Sequence, residues 1–164
     1  MVQLASGKVY KIISVVSAKL LTVSTANDHD DFLANFVLVE SRYEAAKITR
    51  SPYYIKWRVE HIADEGWALK SLHQHEGNGL YLAYKSNNPM EKRSLIGTTA
   101  AYRWDIKQWK TRGGAEFRLW VHDAPDPGYV AEVAGGSDAD GTEIRLWDSN
   151  DTASQFWLFQ EVPN

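Results

Sequence analysis

The chain of 164 residues is 44% hydrophobic and 24% charged, proportions typical of a soluble globular protein rather than of a disordered or membrane-spanning one. Its 18 basic and 21 acidic residues are interspersed and give a net charge of -3, so no basic stripe indicates a nucleic-acid partner. The absence of cysteine excludes disulfides, thiolate metal sites and cysteine nucleophiles.

The first segment, MVQLASGKVYKI, has no long apolar run behind a basic start, so we predict no secretory signal. Together with the lack of cysteine, this favours a cytoplasmic protein, with non-classical release as an alternative.

The first predicted strands alternate between apolar and polar residues, which is the period-two pattern of a β-strand. They are VYKI from Val9, KLLTV ending at Val23 and YIKWRV around Trp57.

The same three-part order returns twice along the chain. The later segments are WALKSL from Trp67, GLYLAY ending at Tyr84, AYRWDI around Trp104, FRLWV from Phe117, GYVAEV ending at Val133 and SQFWLF around Trp157. The turn sequences EGNG before Leu80 and DPG before Tyr129 favour tight hairpins, and helical periodicity is weak throughout.

Three near-equal units of roughly four short strands each predict an all-β fold, a β-trefoil, in which a closed barrel is capped by three hairpins. We expect a single domain over residues 1–164, with repeats at approximately 7–62, 63–110 and 111–164. Trp57, Trp104 and Trp157 are predicted to pack in the shared core.

The third unit, YVAEVAGGSDADGTEIRLWDSNDTASQFWLF, resembles the repeat of the ricin-B-type (R-type) lectins, and the whole chain is similar to small fungal members of that family. The shared pattern is a glycine and serine turn, glycine-threonine, leucine-tryptophan, a polar loop and glutamine-x-tryptophan. The resemblance implies a sugar site with Glu132 as the acid, Trp147 as the aromatic platform, and Asn150, Ser154 and Gln155 as polar contacts. Glutamate replaces the family's usual aspartate, and serine stands where asparagine is common.

The chemistry of these side chains suits a saccharide. C–H groups of a pyranose pack on an electron-rich indole face, which Trp147 can supply. Strand alternation sends Ala131 and Val133 to the core and Glu132 to the opposite face, where a carboxylate can accept hydroxyl hydrogen bonds. The alternative interpretation is a solvated Glu132 and a Trp147 that is partly buried beneath its own loop.

The first two units lack these groups. Thr22 and Ala83 stand at the acid position, and neither unit has an aromatic residue at the platform position. We therefore expect one site per chain, whose partners are glycans or glycoproteins, and cross-linking of glycans would require a homodimer or a higher oligomer.

A second hypothesis comes from trefoils that resemble fungal protease inhibitors. Two long insertions offer basic residues to a protease: Lys47 and Arg50 before Ser51-Pro52, and Lys92 with Arg93. Surface loops commonly carry such residues, so this pattern is weaker than that of the third unit.

Catalysis and cofactors have little support in the sequence. His73 and His75 share a strand face but have no evident third metal ligand, and NDHDD at Asn27 to Asp31 lacks the glycine and the ligand spacing of an EF-hand. We predict a protein that is not an enzyme and needs no cofactor or metal.

Overall fold

The computed structural model describes residues 3–23, 37–40, 55–64, 66–75, 78–84, 94–108, 116–123, 128–139 and 142–163, with the backbone alone at 37–40, 73–75 and 78. The described strands, numbered in chain order, are β1 (Val9–Ser14), β2 (Leu20–Val23), β3 (Val37–Glu40), β4 (Trp57–His61), β5 (Trp67–His75), β6 (Asn78–Tyr84), β7 (Leu95–Thr98), β8 (Trp104–Gln108), β9 (Glu116–Val121), β10 (Tyr129–Val133), β11 (Thr142–Asp148) and β12 (Trp157–Val162). Short 3₁₀ turns lie at Ala134–Gly136 and Ala153–Gln155.

Six of the described strands close into a barrel through antiparallel pairs. The ring runs from β1 to β12, β9, β8, β5 and β4, and β4 pairs with β1 again. Because each strand of the ring has a partner on both sides, the barrel leaves no open sheet edge.

The other six described strands form three hairpins, β2 with β3, β6 with β7, and β10 with β11. The hairpins also contact one another, since β3 pairs with β11 and Ser94 beside β7 bridges to Arg145 of β11. A closed barrel capped by three hairpins is the architecture that the repeated sequence pattern predicts.

The core prediction for the three repeat tryptophans is confirmed, because all three side chains are fully buried. A buried indole N–H needs an acceptor, and each one donates to a backbone carbonyl of the hairpin in its own repeat. The pairs are Trp57 to Leu21 at 3.0 Å, Trp104 to Leu82 at 2.9 Å, and Trp157 to Ala131 at 3.2 Å.

These three bonds also establish which residues are equivalent in the repeats. The residue after each acceptor occupies the same place in its hairpin, and these residues are Thr22, Ala83 and Glu132. Thr22 and Ala83 are fully buried and carry no charge. The third repeat alone has a carboxylate at this position.

Candidate functional site

The hairpin of β10 and β11 has two chemically different faces. Ala131 and Val133 of β10 pack in the core. The intervening Glu132 lies on the outer face, as strand alternation predicts, and pairs directly with Arg145 of β11. Trp147 is two residues beyond Arg145 and therefore shares this outer face.

The Glu132 carboxylate is buried, with only 5% of the residue exposed, which contradicts the alternative interpretation of a solvated Glu132. Its Oε2 accepts a hydrogen bond from Arg145 Nε at 3.0 Å, and its Oε1 accepts longer ones from Ser154 Oγ at 3.2 Å and Gln155 Nε2 at 3.3 Å. A buried charge needs a partner of opposite charge, and Arg145 provides it.

Arg145 also contacts Trp147. The guanidinium carbon lies 3.9 Å from the centroid of the indole ring, and Trp147 is half-buried. Arg145 thus contacts both the carboxylate and the indole, and these two groups do not form an open platform for a sugar. The sequence interpretation did not include Arg145, because its role depends on the pairing of β10 with β11.

Gln155 braces the neighbouring loop through its amide, and its role as a ligand contact stays a prediction. It is fully buried, its Oε1 accepts from the Asn150 backbone N–H at 2.7 Å, and its Nε2 donates to the Asp148 carbonyl at 2.8 Å. Both ends of the amide hold the 148–150 loop, because a buried amide must satisfy its donors and acceptor.

The exposed end of the site is formed by Asn150 and Thr152. Asn150 Oδ1 accepts from the Thr152 backbone N–H at 2.9 Å and from Thr152 Oγ1 at 2.5 Å. Thr152 Oγ1 also lies 2.8 Å from Ser154 Oγ. Beneath this loop the buried Arg118 donates from Nη1 to the Asn150 carbonyl at 3.2 Å, and burial lowers the pKa of Arg118 while nearby Asp151 opposes that shift.

These groups surround a cavity of about 300 Å³, a volume at the lower end of small-molecule sites. Its wall includes Glu132, Asn150 and Ser154, three of the predicted site residues, together with Thr152. Trp147 and Gln155 are not among the lining residues.

Gly135 and Gly136 also line the cavity, and their φ angles of 63° and 64° lie in the left-handed region that glycine tolerates. The sequence marked these glycines only as a turn. Their contribution to the cavity depends on the fold of Ala153–Gln155 across from them, which no local pattern predicts.

The second repeat has a cavity of about 260 Å³ at the equivalent place, but its chemistry is different. Tyr84, Tyr102, Arg103 and His122 line it, and Ala83 replaces the acid. Burial raises the pKa of Tyr84, with a smaller contribution from Tyr102, and His122 Nδ1 lies 2.7 Å from Asp105 Oδ1.

Several sequence predictions fall outside the described part of the chain. These are the basic residues of the two candidate inhibitor loops (Lys47, Arg50, Lys92 and Arg93), the acidic run Asn27 to Asp31, and the side chains of His73 and His75. Among the described residues, no group of three histidine, aspartate or glutamate side chains could hold a metal ion. The described segments also contain no helix that is long and apolar enough to cross a bilayer.

Fold and site together define a β-trefoil in which the cap of the third repeat carries a cavity with a buried, arginine-paired carboxylate. No protein-family model and no curated protein sequence matches the chain, so the comparison with known proteins rests on three-dimensional structure.

Solved structures with this fold include a lectin and an agglutinin from fungi. The ricin B-like lectin of Macrolepiota procera, solved in complex with lactose, has a TM-score of 0.77 and 20% identity over 98% of this chain and 100% of its own. The Rhizoctonia solani agglutinin has a TM-score of 0.73 and 18% identity, with 99% of both chains covered. The predicted fold class is confirmed, and the resemblance to ricin-B-type proteins extends to the whole fold.

A proteinase inhibitor from Coprinopsis cinerea has the same fold, with a TM-score of 0.67 and 15% identity over 98% of this chain and 100% of its own. Both function classes considered from the sequence are therefore represented among the similar structures, with the lectin at the higher structural similarity.

Proposed function

We propose that the chain is a carbohydrate-binding lectin with one sugar site, in the third repeat. The observation that carries this proposal is the Glu132 carboxylate on the wall of a cavity, where the other repeats have Thr22 and Ala83. The lectin of Macrolepiota procera, which binds lactose, has the same fold and supports a galactose-type sugar as the first candidate.

The hydrogen-bonding capacity of the site supports a ligand rich in hydroxyl groups. Thr152 and Ser154 have one hydroxyl proton each, but their Oγ atoms make three contacts, with Asn150, with Glu132 and with each other. Two protons cannot serve three contacts, so one contact of these hydroxyl groups has no proton, and a ligand hydroxyl can supply it. A carboxylate oxygen accepts more than one hydrogen bond, so a sugar hydroxyl can also donate to Glu132 Oε1 in addition to Ser154 and Gln155.

The charge of the site supports a neutral saccharide. Arg145 compensates Glu132, so the cavity carries no net charge from this pair, and a ligand hydroxyl can approach the carboxylate without bringing a cation. The indole of Trp147 contacts Arg145 and does not line the cavity, so it supports the site by helping to hold the arginine beside Glu132. Binding at so small and open a site falls in the millimolar to micromolar range, roughly -4 to -8 kcal/mol. Binding alone, without catalysis or a cofactor, is the activity that we propose.

The test is a glycan array followed by calorimetric titration with lactose. Glu132→Gln keeps the size of the side chain but replaces a charged acceptor by an amide, and it should weaken binding at least about tenfold. Thr22→Val alters the equivalent position of the first repeat and serves as the matched control, with affinity equal to the unmodified protein. Circular dichroism checks that both variants are folded. Undiminished binding by a folded Glu132→Gln variant would contradict the proposed site.

Protease inhibition is the second candidate, supported by the fold of the Coprinopsis cinerea inhibitor and by the basic residues of the sequence at Lys47, Arg50, Lys92 and Arg93. Assays against trypsin, papain and pepsin run beside the glycan array separate the two functions. Inhibition without glycan binding would replace the lectin proposal.

A further inference from the structure

The outer face of the third hairpin continues beyond the cavity onto the barrel. In strand register, Trp120 of β9 lies opposite Val130 of β10, which in turn lies opposite Trp147 of β11. Directly paired residues point to the same side of a sheet, so these three residues form one row, here called the third-repeat row.

The equivalent rows of the other repeats have no pair of indoles. The matching positions are Ile13, Leu20 and Glu40 in the first repeat, and Lys70, Tyr81 and Thr98 in the second. The repeat that has the buried carboxylate is thus also the repeat that has an aromatic ring at each end of the row.

Both indoles are half-buried, whereas Val130 between them is fully buried even though it lies outside the core cluster. The solvent-accessible surface of the row therefore belongs to the two indoles and not to Val130. The two ends are separated by two strand spacings, about 10 Å. A single pyranose ring can cover one indole but cannot reach both.

The row is physically connected to the cavity. Arg118 lies 5.0 Å from the centroid of the Trp120 ring and donates to the carbonyl of Asn150, a residue of the cavity wall. On the exposed side, the Lys107 ammonium lies 5.4 Å from the same ring. An exposed cation–π contact is weak, so a ligand can displace the flexible lysine from the indole.

We propose that Trp120 is a second aromatic subsite and that the site binds a linear oligosaccharide, one sugar in the cavity beside Glu132 and a later sugar on Trp120. This inference rests on the proposed lectin function and adds the length of the ligand to it. Each residue of a neutral oligosaccharide has a C–H face that can pack on an aromatic ring. A row with two indoles therefore suits a chain of sugars better than it suits a single sugar.

The test compares short and long ligands on the same protein. Galactose, lactose and lacto-N-neotetraose form the first series of ligands. If another linear oligosaccharide binds most strongly on the array, that oligosaccharide and its own monosaccharide and disaccharide fragments form the series instead. Trp120→Leu keeps apolar cover over Val130 and should weaken tetrasaccharide binding about tenfold while leaving monosaccharide affinity unchanged. Trp120→Tyr keeps an aromatic ring and should retain part of the higher affinity that the unmodified protein has for the longer ligand. Ile13→Ala, at the matching position of the first repeat, should change neither affinity.

The outcomes separate this proposal from the one on which it rests. If the unmodified protein binds the monosaccharide and the tetrasaccharide equally, or if folded Trp120→Leu weakens both equally or neither, the subsite is wrong and the lectin function stands. If the unmodified protein binds no glycan on the array, the lectin function fails and the subsite fails with it.

Discussion

Arg145 holds two neighbours at once, the Glu132 carboxylate at 3.0 Å and the Trp147 ring at 3.9 Å. Its removal would leave a charge buried without compensation, a situation that costs more than the pair contributes when intact. The arginine therefore makes a carboxylate possible at a position where the other repeats have neutral residues.

This role predicts a specific pattern of stability. Arg145→Met should lower the free energy of unfolding in urea by about 3 kcal/mol, because Glu132 loses its cation. The double variant Glu132→Gln with Arg145→Met should recover most of this loss, since a neutral amide needs no counter-charge. A double variant as unstable as Arg145→Met alone would mean that the two side chains are not coupled.

At the level of single residues, the sequence predicts which face of a strand a side chain occupies better than it predicts how buried that side chain is. Alternation along YVAEV places Glu132 opposite the core because strand geometry alone decides this. Its burial depends on Arg145, thirteen residues further on, and on Gln155, both brought close by pairing and by a 3₁₀ turn. Asn150 and Ser154 line the cavity as predicted site residues, whereas Gln155 was predicted as a contact and serves as a brace.

The turn between β4 and β5 requires glycine at position 66. Gly66 has a φ of 83°, and a Cβ at that position would lie 2.7 Å from the Trp104 carbonyl oxygen. Its own carbonyl accepts the Ile62 backbone N–H at 2.8 Å, which closes the turn. The turn that connects the first repeat to the second therefore passes so close to the Trp104 backbone that no side chain fits at Gly66.

Gly66→Ala should consequently destabilise the protein more than Gly7→Ala. Gly7 has the same φ of 83° but has open space around its missing Cβ, so its substitution costs only the left-handed conformation, about 1 kcal/mol. The midpoint of thermal unfolding should fall further for Gly66→Ala, because the close contact with backbone adds to the same conformational cost. Equal shifts in the two variants would contradict the contact.

Strands were the most predictable elements, because period-two alternation and turn residues act over a few neighbouring positions. Which strands form the barrel and which form the caps is decided by long-range pairing, such as β12 with β1. The three repeated tryptophans indicated the number of units and their core positions, and each one makes the same kind of contact with the hairpin of its own repeat.

For the whole molecule, the loss of the acid at Thr22 and Ala83 predicts a single site per chain. Calorimetric titration with lactose should give a stoichiometry of one sugar per polypeptide. Agglutination of glycan-coated beads should require self-association, which light scattering after size exclusion measures, because one site cannot bridge two surfaces. Two or three sugars bound per chain would mean that another repeat is active, with the cavity of Tyr84 and Tyr102 as the first place to look.

The anchor of each hairpin is a bond from an indole to a main-chain oxygen, and every amino acid supplies such an oxygen. The side chain of the residue that follows the acceptor can therefore change without weakening the attachment of its hairpin to the barrel. One hairpin can therefore carry a carboxylate, at Glu132, where the other two carry Thr22 and Ala83, while the bond that fastens each hairpin to the barrel stays the same.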